Sequence, residues 1–167
     1  TGLNPQQDRM LEIGAVRVCE GDIRDHFQVL ICPHRELSET VVSLTGITQQ
    51  MADQGCEEID AFRDFLDFAG ELPLLGHNLM ADYRFLKQAA KNHGMDFERK
   101  GIDTWKIARK ILKEPEKKSL DVLCRFFEIS LQGHHRALDD ARACAELFLC
   151  LRKKFQEQEP GLFVAKP

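Results

Sequence analysis

Asp140 lies on a predicted helix, on the side that this helix should bury. A rotation of about 100° per residue puts it within roughly 40° of the apolar residues that follow, near the centre of that face. Burying an unpaired carboxylate is costly, so such a group needs a cation, a metal ion or a proton. Asp82 repeats this anomaly on a second predicted helix, and His135 precedes Asp140 by five residues. The alternative for Asp140 is a first-turn residue stabilised by the helix dipole or still in contact with solvent.

Two carboxylates near helix N-termini and a histidine beside one of them suit catalysis by a hard metal ion. Mg²⁺ or Mn²⁺ prefers carboxylate oxygens, and two such ions about 4 Å apart can stabilise the attacking and leaving oxygens at a phosphate. A histidine can take the proton of the attacking water. The sequence contains no G-x-S-x-G and no glycine-rich phosphate loop, which argues against acyl transfer and nucleoside-triphosphate chemistry.

The composition is that of one globular domain with no membrane-spanning segment. The chain has 167 residues, 43% of them hydrophobic, and a formal net charge of −4. No basic field points to a nucleic-acid partner, yet an acidic chain can bind phosphates through metal ions. The six cysteines form no CxxC pair, which favours reduced thiols, neither disulfides nor zinc, and a cytoplasmic location.

The elements that must position these residues alternate between strands and helices after an initial hairpin. Apolar periodicity predicts an α/β domain with a mixed sheet. The loop at residues 43–48 ends at Thr48, which should cap a short helix, and Ser119 should cap a later one. The predicted strands are residues 10–18, 23–31, 72–77 and 102–103, and the predicted helices are 48–53, 59–69, 78–92, 104–112, 120–127 and one after Gly133. We predict a domain over residues 1–155 and a tail or linker over 156–167.

Three segments share their order and spacing with a known family of nucleases. The first is TGLNP at residues 1–5 with LEIGAV at 11–16, and the second contains Gly76-His77-Asn78, Asp82 and Phe85-Leu86. The third is HRALDDA at 135–141, where His135 and Asp140 have the spacing H-x4-D. This pattern resembles the DEDDh 3′–5′ exonucleases, the group that includes the epsilon proofreading subunit of bacterial DNA polymerase III. The resemblance spans nearly the whole chain.

The resemblance implies a ribonuclease H-like fold, a five-stranded mixed sheet flanked by helices. It also implies that Asp82 and Asp140 are metal ligands for two divalent ions, Mg²⁺ or Mn²⁺, and that His135 is the general base. Residues implied to contact the substrate are Gly2, Leu3, Leu44, Ile47 and Asn78, with Leu44 and Ile47 wedging against terminal bases. Simple loop packing is the alternative for Leu44 and Ile47.

One part of the family pattern is not present in this sequence. The family's first motif is D-x-E, on a central strand just before the segment that resembles Thr1-Gly2-Leu3. We therefore expect the sequence to come from a longer polypeptide that contains this strand, and a polypeptide truly starting at Thr1 to be poorly folded and inactive.

The implied activity is metal-dependent hydrolysis of the 3′-terminal phosphodiester, releasing nucleoside 5′-monophosphates in proofreading or repair. The implied partners are single-stranded or 3′-terminal nucleic acid, DNA in preference to RNA, and a DNA polymerase. The alternative is a catalytically incomplete module that binds nucleic-acid ends or a polymerase.

Overall fold

A computed structural model describes residues 1–131 and 135–158, which form four strands and seven helices. The strands are β1 (Glu12–Cys19), β2 (Asp22–Leu30), β3 (Leu74–Gly76) and β4 (Gly101–Asp103). The helices are α1 (Glu39–Thr45), α2 (Gln49–Asp53), α3 (Glu58–Ala69), α4 (Met80–Asn92), α5 (Thr104–Ile111), α6 (Leu120–Phe126) and α7 (Ala137–Gln158). None of the helices in these ranges is both long and apolar enough to cross a membrane.

The first two strands form the antiparallel hairpin that the sequence predicts. Glu12 pairs with Leu30 and Cys19 with Asp22, which leaves a two-residue turn. Both turn residues, Glu20 and Gly21, have positive φ angles of 54° and 89°. Such turns suit hairpins because their backbone twist matches that of the flanking strands.

The other two strands pair in parallel and bring two loops to the same edge. Leu74 pairs with Gly101 and Gly76 with Asp103. Parallel strands end at the same side of a sheet, so the residues that follow β3 lie beside the end of β4. An antiparallel pair and a parallel pair with intervening helices confirm the predicted α/β class. Within the described residues the two pairs form separate two-stranded sheets, whereas one mixed sheet was predicted.

Apolar side chains gather in three clusters that fix the helices to these strands. The first joins the hairpin to α3 and α4 through Ile13, Phe62 and Leu86. The second joins α5, α6 and α7; its members are Ala108, Leu112, Leu123, Leu147 and Leu151. The third and smallest consists of Leu11, Ile47 and Ala52. Helix α7 is therefore held by α5 and α6 around Leu147 and Leu151.

The loop predicted from Ser43 onward is wrong for its first three residues, which belong to α1. That helix starts where Ser38 accepts a hydrogen bond from the Val41 amide at 3.3 Å, and it stops at Gly46, whose φ is 69°. Only seven residues lie between these stops, too few to show a helical period. The predicted cap at Thr48 is confirmed, since its hydroxyl accepts from the Met51 amide at 3.2 Å.

Two predictions about helix ends have different outcomes. Ser119 occupies the N-cap position of α6, but its side chain makes no capping hydrogen bond. Helix α7 continues to Gln158, three residues into the predicted tail. Residues 159–167 of that tail lie outside the described residues, so the boundary at residue 155 stays a prediction.

Candidate functional site

Asp82 lies among other carboxylates at the start of α4. The pKa of its carboxyl group is raised from 3.8 to about 6, first by desolvation and then by the negative charges of Asp140 and Asp103. Like charges act on one another in this way only when they are close and poorly screened. The N-terminal ends of α4 and α7 therefore bring Asp82 and Asp140 into one electrostatic environment, together with the end of β4.

The burial expected for Asp82 needs correction, because the residue is exposed to solvent. It is in the first turn of α4, and the buried part of that helix begins only at Leu86 and continues at Ala89 and Ala90. Asp140 is half-buried. The carboxyl group of Asp82 is therefore partly desolvated, although much of the residue remains accessible to water and to a ligand.

Asp103 connects the ends of the two parallel strands, and sequence reasoning did not single it out. Its Oδ1 accepts hydrogen bonds from the backbone amides of Asn78 and Trp105, both at 3.0 Å. Asn78 has a φ of 61°, a left-handed conformation that asparagine tolerates better than most residues. Asp103 therefore caps α5 and fixes the turn before α4. The sequence signal was an aspartate directly before a helix.

A buried polar group next to Asp103 connects the turn after β3 with α5 and α7. Thr104 is fully buried, and its hydroxyl lies 2.9 Å from His77 Nδ1 and 3.6 Å from Cys144 Sγ. His77 Nε2 lies 2.7 Å from the carbonyl oxygen of Lys118, which can only accept, so Nε2 carries the proton. Burial lowers the pKa of His77 and raises that of the Cys144 thiol to about 12. His77 is accordingly a structural residue.

The N-terminus of α7 carries the two remaining catalytic candidates. His135 is exposed and has a φ of 73°, and Ala137 begins the helix two residues later. The amide of Asp140 donates to the carbonyl oxygen of Arg136 at 3.0 Å, which is the first hydrogen bond of the helix. Both candidates are thus fixed to the same helical turn, His135 just before it and Asp140 at its end.

A carboxylate on the hairpin holds this turn in place. The Glu12 side chain is 4% exposed and accepts from Arg136 Nη2 at 2.8 Å and Nε at 3.3 Å. It also accepts from the Ala137 amide at 2.8 Å and from Gln28 Nε2 at 2.7 Å. Beside it, a side chain at Gly14 would clash with the backbone of α7. Glu12 therefore caps α7 from the hairpin, a role that strand alternation gave no reason to expect.

The residues predicted to contact substrate near the start of the chain lie in an exposed turn. Leu3 is 94% exposed, an unusual position for a leucine. A Cβ on Gly2 would collide with the Asp8 carboxylate, which also accepts from the Asn4 amide at 2.9 Å. A side chain at position 2 would therefore displace the Asp8 carboxylate from this turn. The substrate roles of Gly2, Leu3 and Asn78 stay predictions.

The two predicted base wedges differ in exposure. Leu44 is 52% exposed, whereas Ile47 is 1% exposed and packs with Leu11 and Ala52. The resemblance implied that Ile47 wedges against terminal bases, with simple loop packing as the alternative. Its side chain lies in the core beside α2, which favours loop packing. Of the two, Leu44 alone is available to a ligand.

The carboxylates fit a hard divalent ion, with an incomplete set of protein ligands. Within residues 1–131 and 135–158, no three His, Cys, Asp or Glu side chains gather closely enough to hold an ion. Mg²⁺, however, is commonly held by one or two carboxylates, with waters and substrate phosphates completing the shell. Asp82 and Asp140 supply two carboxylates, and a bound cation would offset the repulsion that raises the pKa of Asp82.

Comparison with known sequences gives matches along most of the chain. The RNase T model, described as exonuclease, matches residues 1–148. The DNA polymerase III PolC-type of Thermotoga petrophila is 41% identical over 150 residues, 89% of this chain and 11% of that protein. That of Bacillus subtilis is 37% identical over 161 residues, 95% of this chain and again 11% of that protein. The chain thus spans about a tenth of the length of these relatives.

Comparison with solved structures gives the same fold. Exonuclease X in complex with 5′ overhanging duplex DNA has a TM-score of 0.74 at 24% identity, covering 95% of this chain and 87% of that chain. The nuclease domain of 3′hExo, a DEDDh family member bound to rAMP, has a TM-score of 0.77 at 22% identity, covering 87% and 81%. E. coli exonuclease I in complex with a dT13 oligonucleotide has a TM-score of 0.80 at 17% identity, covering 97% and 41%. The expected ribonuclease H-like fold is confirmed.

Proposed function

This chain belongs to the exonuclease family, in its DEDDh group of 3′–5′ exonucleases, and on that premise we propose how its residues act. The reaction is hydrolysis of the 3′-terminal phosphodiester of DNA with release of a nucleoside 5′-monophosphate. His135 is the general base, and Asp82 and Asp140 are metal ligands. The observation that carries this proposal is that Asp82 at the start of α4, Asp103 at the end of β4 and Asp140 at the start of α7 lie close enough for their charges to add to the effect of desolvation on the pKa of Asp82.

The proposed chemistry transfers one proton and exchanges one bond at phosphorus. His135 takes a proton from water, whose oxygen bonds to phosphorus while the bond to the 3′ oxygen of the shortened strand breaks. Asp82 and Asp140 would hold the divalent ions, Mg²⁺ or Mn²⁺, which would supply stabilisation of negative charge at the phosphate. Asp103 and Glu12 take no part in the proton transfer; they fix the ends of α5 and α7.

We further propose DNA as the substrate and a DNA polymerase as the protein partner, in the cytoplasm. The support is that the relatives are DNA polymerase III PolC-type proteins. The solved neighbours are described with duplex DNA, rAMP and an oligonucleotide. The test therefore compares the rates at which DNA and RNA strands of identical sequence are cleaved. Faster cleavage of the DNA strand is expected, and equal rates would contradict this choice.

The test of the catalytic assignment is the turnover of a single-stranded 3′ end with Mg²⁺, measured with the longer polypeptide that includes the expected D-x-E strand. His135→Ala should lower turnover by about 10²–10⁴-fold, the usual contribution of a general base. Asp140→Asn should lower it at least as much and raise the Mg²⁺ concentration needed. His26→Ala, at an exposed position of the hairpin, is the matched control and should leave turnover unchanged. Undiminished turnover in His135→Ala would remove this residue from the mechanism.

A further inference from the structure

The exposed face of helix α5 carries a group of cations next to an aromatic side chain. Lys106, Arg109, Lys110 and Lys113 are all exposed. Their spacing of three or four residues puts them along one side of the helix and the loop that follows it. On the opposite side, Ala108 and Leu112 are buried in the cluster with α6 and α7. We call the four cations together with Trp105 the α5 basic face.

The charge of this face is not neutralised by the protein itself. In the described part of the chain, none of its four cations forms an ion pair with a carboxylate. Other surface cations do form such pairs, as Lys87 does with Glu98 and Arg125 with Asp121. The whole chain has a net charge of −4, so a local excess of unpaired positive charge does not follow from composition. It provides a surface complementary to a polyanion.

Trp105 gives the face an aromatic platform. It is half-buried, and the guanidinium carbon of Arg109 lies 4.6 Å from the centre of its ring. The two side chains line a cavity of about 370 Å³, together with Leu112, Lys113, Glu116 and Lys118. Aromatic rings beside cations are the arrangement by which proteins bind single-stranded nucleic acids, since bases stack while phosphates meet the cations.

The position of the face links it to the candidate active site. Helix α5 starts directly after Asp103, whose charge acts on Asp82 and whose Oδ1 binds the Asn78 amide. A rise of 1.5 Å per residue puts Lys106 about 4.5 Å and Lys110 about 10.5 Å beyond Asp103 along the axis, and Lys113 follows in the loop after α5. The face thus begins near Asp103 and extends away from the candidate site by a length comparable to a few nucleotides.

We propose that the α5 basic face binds the DNA strand on the 5′ side of the nucleotide being removed. Its cations contact backbone phosphates, and Trp105 stacks against a base. This inference rests on the proposed exonuclease function, because it assumes that the 3′ end lies in the cleft of Asp82 and Asp140. It assigns to the face a part in strand affinity and none in the chemical step.

The test compares a long substrate with one too small to reach the face. Cleavage of a single-stranded 20-nucleotide DNA is measured beside hydrolysis of the p-nitrophenyl ester of thymidine 5′-monophosphate. Two lost phosphate contacts should reduce the slope of log affinity against log salt by about 1.4 and affinity by up to about 25-fold at 0.1 M salt. The double variant Lys106→Gln/Lys110→Gln should lose this much kcat/KM on DNA and keep its rate on the ester.

The matched control is Arg152→Gln/Lys153→Gln, which removes the same charge from exposed positions near the end of α7. Trp105→Leu should also weaken DNA cleavage by about fivefold or more and spare the ester, as expected for a stacked base. Affinity for a fluorescein-labelled strand is measured by anisotropy in EDTA, where no cleavage is needed.

The outcomes separate this inference from the proposed function. Equal losses of DNA affinity in the two double variants, or unchanged DNA affinity in Lys106→Gln/Lys110→Gln, would overturn the inference and favour a protein partner for this face. Failure of the longer polypeptide with the D-x-E strand, carrying no substitution, to hydrolyse either substrate would instead refute the proposed function, while the affinity measurements would still decide the role of the face. Thermal melting of each variant checks that it is folded.

Discussion

Replacing Glu12 with alanine should loosen the N-terminus of α7 from the hairpin. The side chain is 4% exposed and accepts hydrogen bonds from Arg136, from the Ala137 amide and from Gln28. Removing it leaves the Arg136 guanidinium without its partner and the first amide of α7 without an acceptor. Both groups are only partly accessible to water, so solvent can replace the lost contacts only in part.

The expected loss follows from this geometry. Breaking a buried ion pair by removing one partner costs about 3–5 kcal/mol, because the other charge stays buried. The Arg136 side chain is 28% exposed, so water compensates in part and the lower end, about 3 kcal/mol, is expected. For a chain of this size, that loss corresponds to a fall in melting temperature of about 6–12 °C. Turnover should also fall, because His135 directly precedes Arg136.

The assay is denaturant unfolding at neutral pH and again under acid conditions. Burial alone would raise the pKa of Glu12, but hydrogen bonds from Arg136, Ala137 and Gln28 outweigh it and lower the pKa below 4.5. A carboxyl group with a lowered pKa stabilises the fold above its ordinary value and loses this contribution as pH falls through the folded value. The difference between the parent and Glu12→Ala should therefore shrink below pH 4.5.

Gln28→Ala is the matched control, because it removes the hydrogen bond on the hairpin side and keeps the contacts between Glu12 and α7. Gln28 is exposed, and its loss should cost no more than about 1 kcal/mol. A Glu12→Ala loss no larger than that of Gln28→Ala would refute the reasoning, since the contacts with α7 would then contribute nothing measurable. If the difference in stability between the parent and Glu12→Ala is the same at neutral and acid pH, the proposed contribution of the charged Glu12 carboxylate is contradicted.

Three further predictions concern the site and the core. Asp82→Asn should raise the melting temperature in EDTA above pH 6, because the pKa of about 6 means that its charge opposes folding there. The substitution should also abolish the rise in melting temperature that Mg²⁺ causes in the parent. If calorimetry shows the same rise in Asp82→Asn, Asp82 is excluded as a ligand. Stability should fall as pH drops below 6.5, because the pKa of His77 is lowered and the folded state favours its neutral form; an equal fall in His77→Gln would assign the effect elsewhere. Ile47→Ala should cost about 2–5 kcal/mol in denaturant melts and Leu44→Ala within about 0.5 kcal/mol, and equal losses would contradict their different burial.

Local periodicity was enough to predict most elements of this chain and the fold class. The hairpin, the buried run before Gly76 and the stripes of α3 to α7 follow from residue spacing, which reflects backbone geometry directly. Asp82 and Asp140 were singled out because carboxylates on apolar faces are anomalous in any helix, and His135 because it precedes Asp140 by five residues. Helix α1 was not predicted because seven residues are too few to show a helical period, and the Thr and Gly residues at its end are typical of turns.

Tertiary structure decided which faces are covered and which distant residues meet. Apolar periodicity indicates which side of an element faces the core, but not which residues along that side are covered by other elements. Asp82 is therefore exposed on an apolar face, and Ile47 is buried in a segment that was predicted to be a loop. The contact between Glu12 and Arg136 joins residues 124 apart in sequence, and no local pattern links an acid on a strand with an arginine before a helix. Such a pair depends on how the hairpin packs against α7, and that is set by the combined free energy of the whole core rather than by the preference of any one segment.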